Sequence, residues 1–190
     1  MVTTCYFVRH AEPNYDNHND YERELSEKGE RDRHLVTAFL EDKGITAIYS
    51  SPYVRAKETV RPLADKLGLA VIERDDFRER KITTDWIEDF QAFSQQQWAD
   101  FSYKLADGES LSEVATRNIA ALEQLLEEHE GQNLVVGSHG TALSTIINHY
   151  DKTFAYADFE RVKGLMPWIV VFRFEGKTCL SIEEVNLFEL

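Results

Sequence analysis

Short runs rich in β-branched and aromatic residues alternate with helical patterns along most of this chain, and that alternation leaves few folds open to it. The runs are Val2 to Val8, Ile45 to Tyr49, Leu69 to Ile72 and Leu134 to Val136. Each is brief and mostly unalternating in polarity, which suits strands buried on both faces. The segments between them repeat their apolar residues at helical spacing. Ser26 heads the first, with Leu35, Val36, Phe39 and Leu40 on one face and Gly44 beyond its end. Ser51-Pro52 supplies a cap and a proline for the second, which runs through Val60 and Leu63 to Gly68. Ser110 or Ser112 caps a third, carrying Val114, Ile119, Leu122, Leu125 and Leu126 as far as Gly131, and a fourth begins near Gly140 with Leu143, Ile146 and Ile147. The order predicts an α/β protein, a three-layer αβα sandwich with a mostly parallel central sheet and helices on both faces.

Two stretches depart from the alternation. Trp168 to Phe174 and Cys179 to Val185 flank Glu175-Gly176-Lys177 and read as an edge β-hairpin at the C-terminus. Residues 81–107 are rich in aromatics, Trp86, Phe90, Phe93, Trp98, Phe101 and Tyr103, without a sheet pattern, and read as a helical insertion or cap over one end of the sheet. No repeat, low-complexity tract or linker divides the chain, so residues 1–190 are expected to form a single domain.

Charge narrows the partners. Lys and Arg number 21 against 34 Asp and Glu, a net charge of −13, which repels nucleic-acid phosphates and anionic lipid at long range. Neither nucleic acid nor membrane is an expected partner. The start of the chain lacks the basic flank of a secretory signal, no window resembles a membrane span, and the 2 cysteines are too few for a disulfide framework. A cytoplasmic location is the default expectation. Gly176-Lys177-Thr178 is not a phosphate loop, because Val171 stands where the first glycine is needed. The 6 histidines show no His-Glu-x-x-His spacing, and neither a metal nor a cofactor is expected.

The residues that carry chemistry fall where the expected parallel strands end, the rim at which open α/β sheets place their ligands. Arg9-His10 follows the first strand, Arg55 lies in the first turn of the helix after the second, and His139 follows the Leu134 strand where a helix begins. Singly, each has a bland reading as a surface charge or a capping histidine. Together, in an acidic protein, two arginines and two histidines at one rim suit a phosphoryl group, which needs guanidinium forks, N–H donors and an in-line nucleophile.

These residues sit in a wider resemblance. Val8-Arg9-His10-Ala11-Glu12 resembles the signature of the histidine phosphatase superfamily, the phosphoglycerate-mutase-like family. Leu25-Ser26-Glu27-Lys28-Gly29, Ser50 to Thr59, Gly108-Glu109-Ser110 and Val135 to Gly140 resemble further family segments in the same order. The resemblance implies that His10 is the histidine that becomes phosphorylated and that Arg9, Arg55 and His139 hold the phosphoryl oxygens. It also implies a carboxylate proton donor after the third strand, for which Glu79 in Phe77-Arg78-Glu79 is the candidate. Asn14, Tyr15 and Gly140 are candidates for contacting the substrate.

The family divides into mutases and phosphatases. Mutases tend to carry serine three places and asparagine six places after the nucleophile, where this chain has Pro13 and Asp16, and its length resembles that of the compact phosphatases. The expected function is metal-independent hydrolysis of a phosphomonoester through a phosphohistidine, on a small phosphorylated metabolite. Phosphoglycerate-mutase-type transfer, phosphoprotein hydrolysis and a non-catalytic phosphate-binding module are the alternatives. The aromatics of residues 86–103 would serve equally as the surface of a homodimer.

Overall fold

The computed structural model describes residues 1–190. A six-stranded sheet runs through it in the order β3-β2-β4-β1-β5-β6, formed by β1 (Val2–Arg9), β2 (Ile45–Ser50), β3 (Val71–Glu73), β4 (Asn133–Ser138), β5 (Trp168–Glu175) and β6 (Thr178–Val185). The first four are parallel, while β5 lies antiparallel to β1 and pairs with β6 as the expected hairpin. The helices are α1 (Glu27–Leu40), α2 (Val54–Leu67), α3 (Phe90–Ala99), α4 (Leu111–Glu128), α5 (Gly140–Tyr150) and α6 (Tyr156–Val162).

Successive residues of a strand face opposite sides, and both sides are buried here. Cys5 and Phe7 of β1, with Trp168, Val170, Phe172 and Phe174 of β5, pack on one face beneath Leu122 and Leu125 of α4 and Leu143 and Ile146 of α5. Tyr6, Val8, Ile169 and Val171 face the other side, against Val36 and Leu40 of α1 and Val60 and Leu63 of α2. The alternation between strand and helix thus yields the three expected layers.

Helix ends follow the sequence signals in most places. Ser26 caps α1, accepting from the Gly29 N–H at 3.1 Å. Ser110 caps α4 in a capping box with Glu113. The start of α2 corrects the sequence reading: the cap is Tyr53, without a side-chain bond, and the helix begins at Val54 rather than at Pro52. Pro62 lies inside α2 and cannot donate to the carbonyl of Glu58, one turn behind it. The Arg33 guanidinium of α1 takes up that carbonyl at 3.0 Å, so a bond across two helices replaces the missing one within α2.

The aromatic stretch at residues 81–107 holds one helix, α3, and otherwise irregular chain. Its aromatics serve two ends. Trp98 is buried against Phe101, Phe154 and Phe159 and belongs to the core. Trp86, by contrast, is 61% exposed and stacks on His18, with ring centroids 4.3 Å apart. No helix is long and apolar enough to cross a membrane.

Candidate active site

β1 and β4 end side by side, with Arg9 opposite Ser138 in the parallel register. The His10 N–H extends the ladder onto the Ser138 carbonyl at 3.2 Å. Neighbouring strands lie about 4.8 Å apart, so the next residue of each strand meets the other. His10 and His139 accordingly stand edge to face with ring centroids 5.3 Å apart.

His10 is nearly fully buried, and its Nδ1 lies 2.7 Å from the carbonyl oxygen of Ala11. A carbonyl only accepts, which assigns the ring proton to Nδ1 and leaves the lone pair on Nε2. Burial first, then the guanidiniums of Arg55 and Arg9, hold this imidazole well below its usual range. It is therefore neutral at pH 7. His139 is fully buried and is pushed down by the same burial and by Arg55. Its Nε2 lies 2.8 Å from Ser51 Oγ, while its Nδ1 is buried without a partner. Ser51 Oγ already accepts from the Tyr53 N–H at 3.2 Å, so its own proton is free to donate to Nε2. That tautomer leaves Nδ1–H as an unused donor.

The two arginines are held differently. Arg9 Nη1 donates to the carbonyls of Val162, Lys163 and Leu165 at 3.2, 2.6 and 3.2 Å, at and just beyond the C-terminus of α6. Carbonyls there have no partner within the helix and attract a cation. On the other side the guanidinium rests against Gly140, where an added Cβ would lie 2.9 Å from Cζ, Nε and Nη2. Any side chain at 140 would force the guanidinium to shift. Arg55 Nη1 bonds the Asp20 carbonyl and Nη2 the Asp20 carboxylate at 3.0 Å, and Arg23 Nη1 lies 3.3 Å from the same carboxylate oxygen. One acidic residue of the loop after β1 thus gathers two guanidiniums.

Glu79 follows a short 3-10 turn at Asp75–Phe77. Its Oε2 accepts from the Thr141 N–H at 3.0 Å, and its Oε1 from Ala142 at 2.9 Å and from its neighbour Arg80 at 2.8 Å. The carboxylate lies on the positive end of α5, whose first N–H groups have no carbonyl a turn behind them. The sequence-derived residues Arg9, His10, Arg55, Glu79, His139 and Gly140 are therefore brought to one rim. The remaining two candidates lie in the loop after His10. Asn14 braces its own loop, donating to Glu24 Oε1 at 2.6 Å and accepting from the Asp16 N–H at 3.1 Å. Tyr15 is half exposed, its hydroxyl 3.5 Å from Met166 Sδ.

Sequence reasoning missed Ser51, Asp20 and Arg23. Ser51 carried a signal that pointed to a helix cap, and nothing in the spacing of Asp20 or Arg23 links them to Arg55. The arrangement can cradle a tetrahedral oxyanion beside a neutral imidazole, with a carboxylate on the N-terminus of α5.

Known proteins bear on this geometry. The chain is 30% identical over 157 residues to a protein of Yersinia pestis named probable phosphoglycerate mutase GpmB, covering 75% of this chain and 72% of the relative. The structure of a mycobacterial glucosyl-3-phosphoglycerate phosphatase superposes with a TM-score of 0.77 at 19% identity, covering 98% of each chain. A phosphoglycerate mutase from Bacillus anthracis gives a TM-score of 0.75 at 20% identity, over 97% of this chain and 93% of that one. Residues 5–186 match the description of the histidine phosphatase superfamily, branch 1. Strand order, clustered rim and matched sequence agree that this chain belongs to the histidine phosphatase superfamily.

Proposed function

We propose that this protein hydrolyses a small phosphorylated metabolite through a phosphohistidine on His10. The observation that carries the reading is the neutral His10 ring, whose Nδ1 proton is fixed on Ala11 and whose Nε2 is left bare beside Arg9, Arg55 and His139. In the first step Nε2 attacks phosphorus, and the bond from phosphorus to the ester oxygen breaks. Glu79 passes a proton to the departing oxygen and is left as the carboxylate. A carboxylate has roughly four lone-pair positions, and three are taken by the N–H groups of Arg80, Thr141 and Ala142. One remains for that proton. In the second step the Glu79 carboxylate takes a proton from water as the water oxygen attacks phosphorus, the P–N bond breaks, and His10 returns to its neutral form.

Charge on the transferring group is met by Arg9, Arg55, the His139 Nδ1–H and the Gly140 N–H, all placed before the reaction begins. These donors supply what a metal ion would otherwise provide, so the scheme requires none. Water rather than a second substrate is favoured as acceptor by the loop after His10. Pro13 bridges to Leu25, and Asp16 is turned to solvent, at the two positions where the mutase pattern has serine and asparagine.

A second reading, phosphoryl transfer between positions of a phosphoglycerate, is favoured by the 30% identity to a protein named as a probable mutase. One experiment separates them. Phosphate release from p-nitrophenyl phosphate is measured with chelator present, for the parent and His10→Ala, beside interconversion of 3- and 2-phosphoglycerate. Hydrolysis that survives chelator and is lost in His10→Ala, without interconversion, supports the first reading. Interconversion faster than phosphate release replaces it with the second.

A further inference from the structure

The Gly108-Glu109-Ser110 segment and the helix it starts do more than close the fold. Glu79 stands in a stretch, Arg78 to Thr83, with no regular secondary structure to hold it. Its carboxylate is fixed by α5, and its main chain is fixed by Arg117 of α4. Arg117 Nη1 donates to the carbonyls of Asp76 and Arg78 at 2.8 and 2.7 Å, and Nη2 to the carbonyl of Glu79 itself at 3.0 Å. The remaining donors go to Glu109, Nε to Oε2 and Nη2 to Oε1, both at 2.9 Å. A guanidinium has five N–H donors, and all are engaged here.

Glu109 also grips the same stretch directly. Its Oε1 accepts from the Lys81 N–H at 2.9 Å and its own N–H donates to the Lys81 carbonyl at 2.7 Å. The close approach needs Gly108, where a Cβ would fall 1.9 Å from the Ile82 carbonyl oxygen. The preceding turn has its own anchor, since Phe77 is fully buried edge to face with Phe7 at 5.9 Å. Losing Arg117 would therefore free the main chain at Glu79 and leave the core below it in place.

We propose that Arg117, set by Glu109, is the positioning residue for Glu79 and acts on the protonation of the leaving group. The proposal rests on the reading of Glu79 as proton donor. A lysine at 117 would keep the charge but not the planar fork that reaches three carbonyls and a carboxylate at once.

The test is the single-turnover rate of phosphoenzyme formation with two probes. Benzyl phosphate needs its leaving oxygen protonated, whereas 2,4-dinitrophenyl phosphate releases an anion that does not. A positioned acid contributes roughly 10²–10⁴-fold, and its misplacement by about 1 Å costs a large part of that. Arg117→Lys is expected to slow benzyl phosphate at least about tenfold and to leave dinitrophenyl phosphate within about twofold. Glu109→Gln, a smaller change, should show the same selective loss and serves if Arg117→Lys does not fold. Equal slowing of both probes, or slowing of neither, overturns the positioning role while Glu79→Gln remains selective. If Glu79→Gln is itself unselective, the donor reading fails and the positioning role with it.

Discussion

Replacing Gly140 by alanine adds a single methyl group at the start of α5, and the structure says where it lands. The new Cβ would lie 2.9 Å from three atoms of the Arg9 guanidinium. Ordinary contacts between such atoms are about 3.5–4.0 Å, so the guanidinium must move by roughly 0.6–1 Å. A side chain end is normally cheap to move, but this one is tied to three carbonyls at 3.2, 2.6 and 3.2 Å beyond it. It cannot retreat toward them and must slide aside. Crowding of this kind costs about 1–3 kcal/mol of stability, a fall of several degrees in Tm with the fold retained. Function should suffer more, because Arg9 is proposed to hold the phosphoryl group, and displacing such a group by about 1 Å costs on the order of 100-fold in kcat/KM. The alanine keeps its own N–H, so the loss is assigned to Arg9. In an Arg9→Ala background the same change should therefore cost almost nothing further. Gly140→Ala with kcat/KM on p-nitrophenyl phosphate within about twofold of the parent would refute the reasoning that Arg9 must hold this place.

Other perturbations test other parts of the account. Arg33→Ala leaves the Glu58 carbonyl of α2 without its substitute donor and should cost about 1–3 kcal/mol in urea unfolding. Adding Pro62→Ala, which restores an N–H one turn away, should recover part of that loss, and an additive double variant would contradict the account. His10 and His139 are both held well below their usual range, while the unfolded imidazoles titrate near 6.5. Below about pH 6.5 the unfolded chain therefore binds more protons than the native one, and stability falls as pH drops, by up to about 1.4 kcal/mol per pH unit for each ring. His139→Gln should remove about half of that slope between pH 7 and 5, and an unchanged slope would show that the His139 ring is not held neutral in the native state.

Local signals made much of the fold legible. β1, β4 and β5 carry short apolar runs, β6 is marked by the Glu175-Gly176-Lys177 turn before it, and the Ser26 and Ser110 caps sit directly before helical periodicity. α6 was missed because it has only 7 residues and no side-chain cap to announce it. That helix matters to the site, since carbonyls at and just past its end hold Arg9. The rim cluster was legible because each residue lies at or within a few residues of a strand's end, and parallel pairing brings such positions together whatever their separation in sequence. Contacts between loops were not. Asp20 on Arg55, Ser51 on His139 and Arg117 on the Glu79 carbonyl depend on how irregular segments are draped, and no periodicity records that. Asn14, expected at the substrate, uses its amide to shape the loop after His10, a contact that no spacing records.

The central claim is that His10 becomes covalently phosphorylated. The direct measurement is to quench the protein within one turnover of p-nitrophenyl phosphate, with chelator present, and to map the labelled peptide by mass spectrometry under alkaline conditions that preserve phosphohistidine. The account predicts one acid-labile phosphoryl group on His10, absent from His10→Ala. Rapid phosphate release with no labelled protein, or a label on another residue, would contradict it.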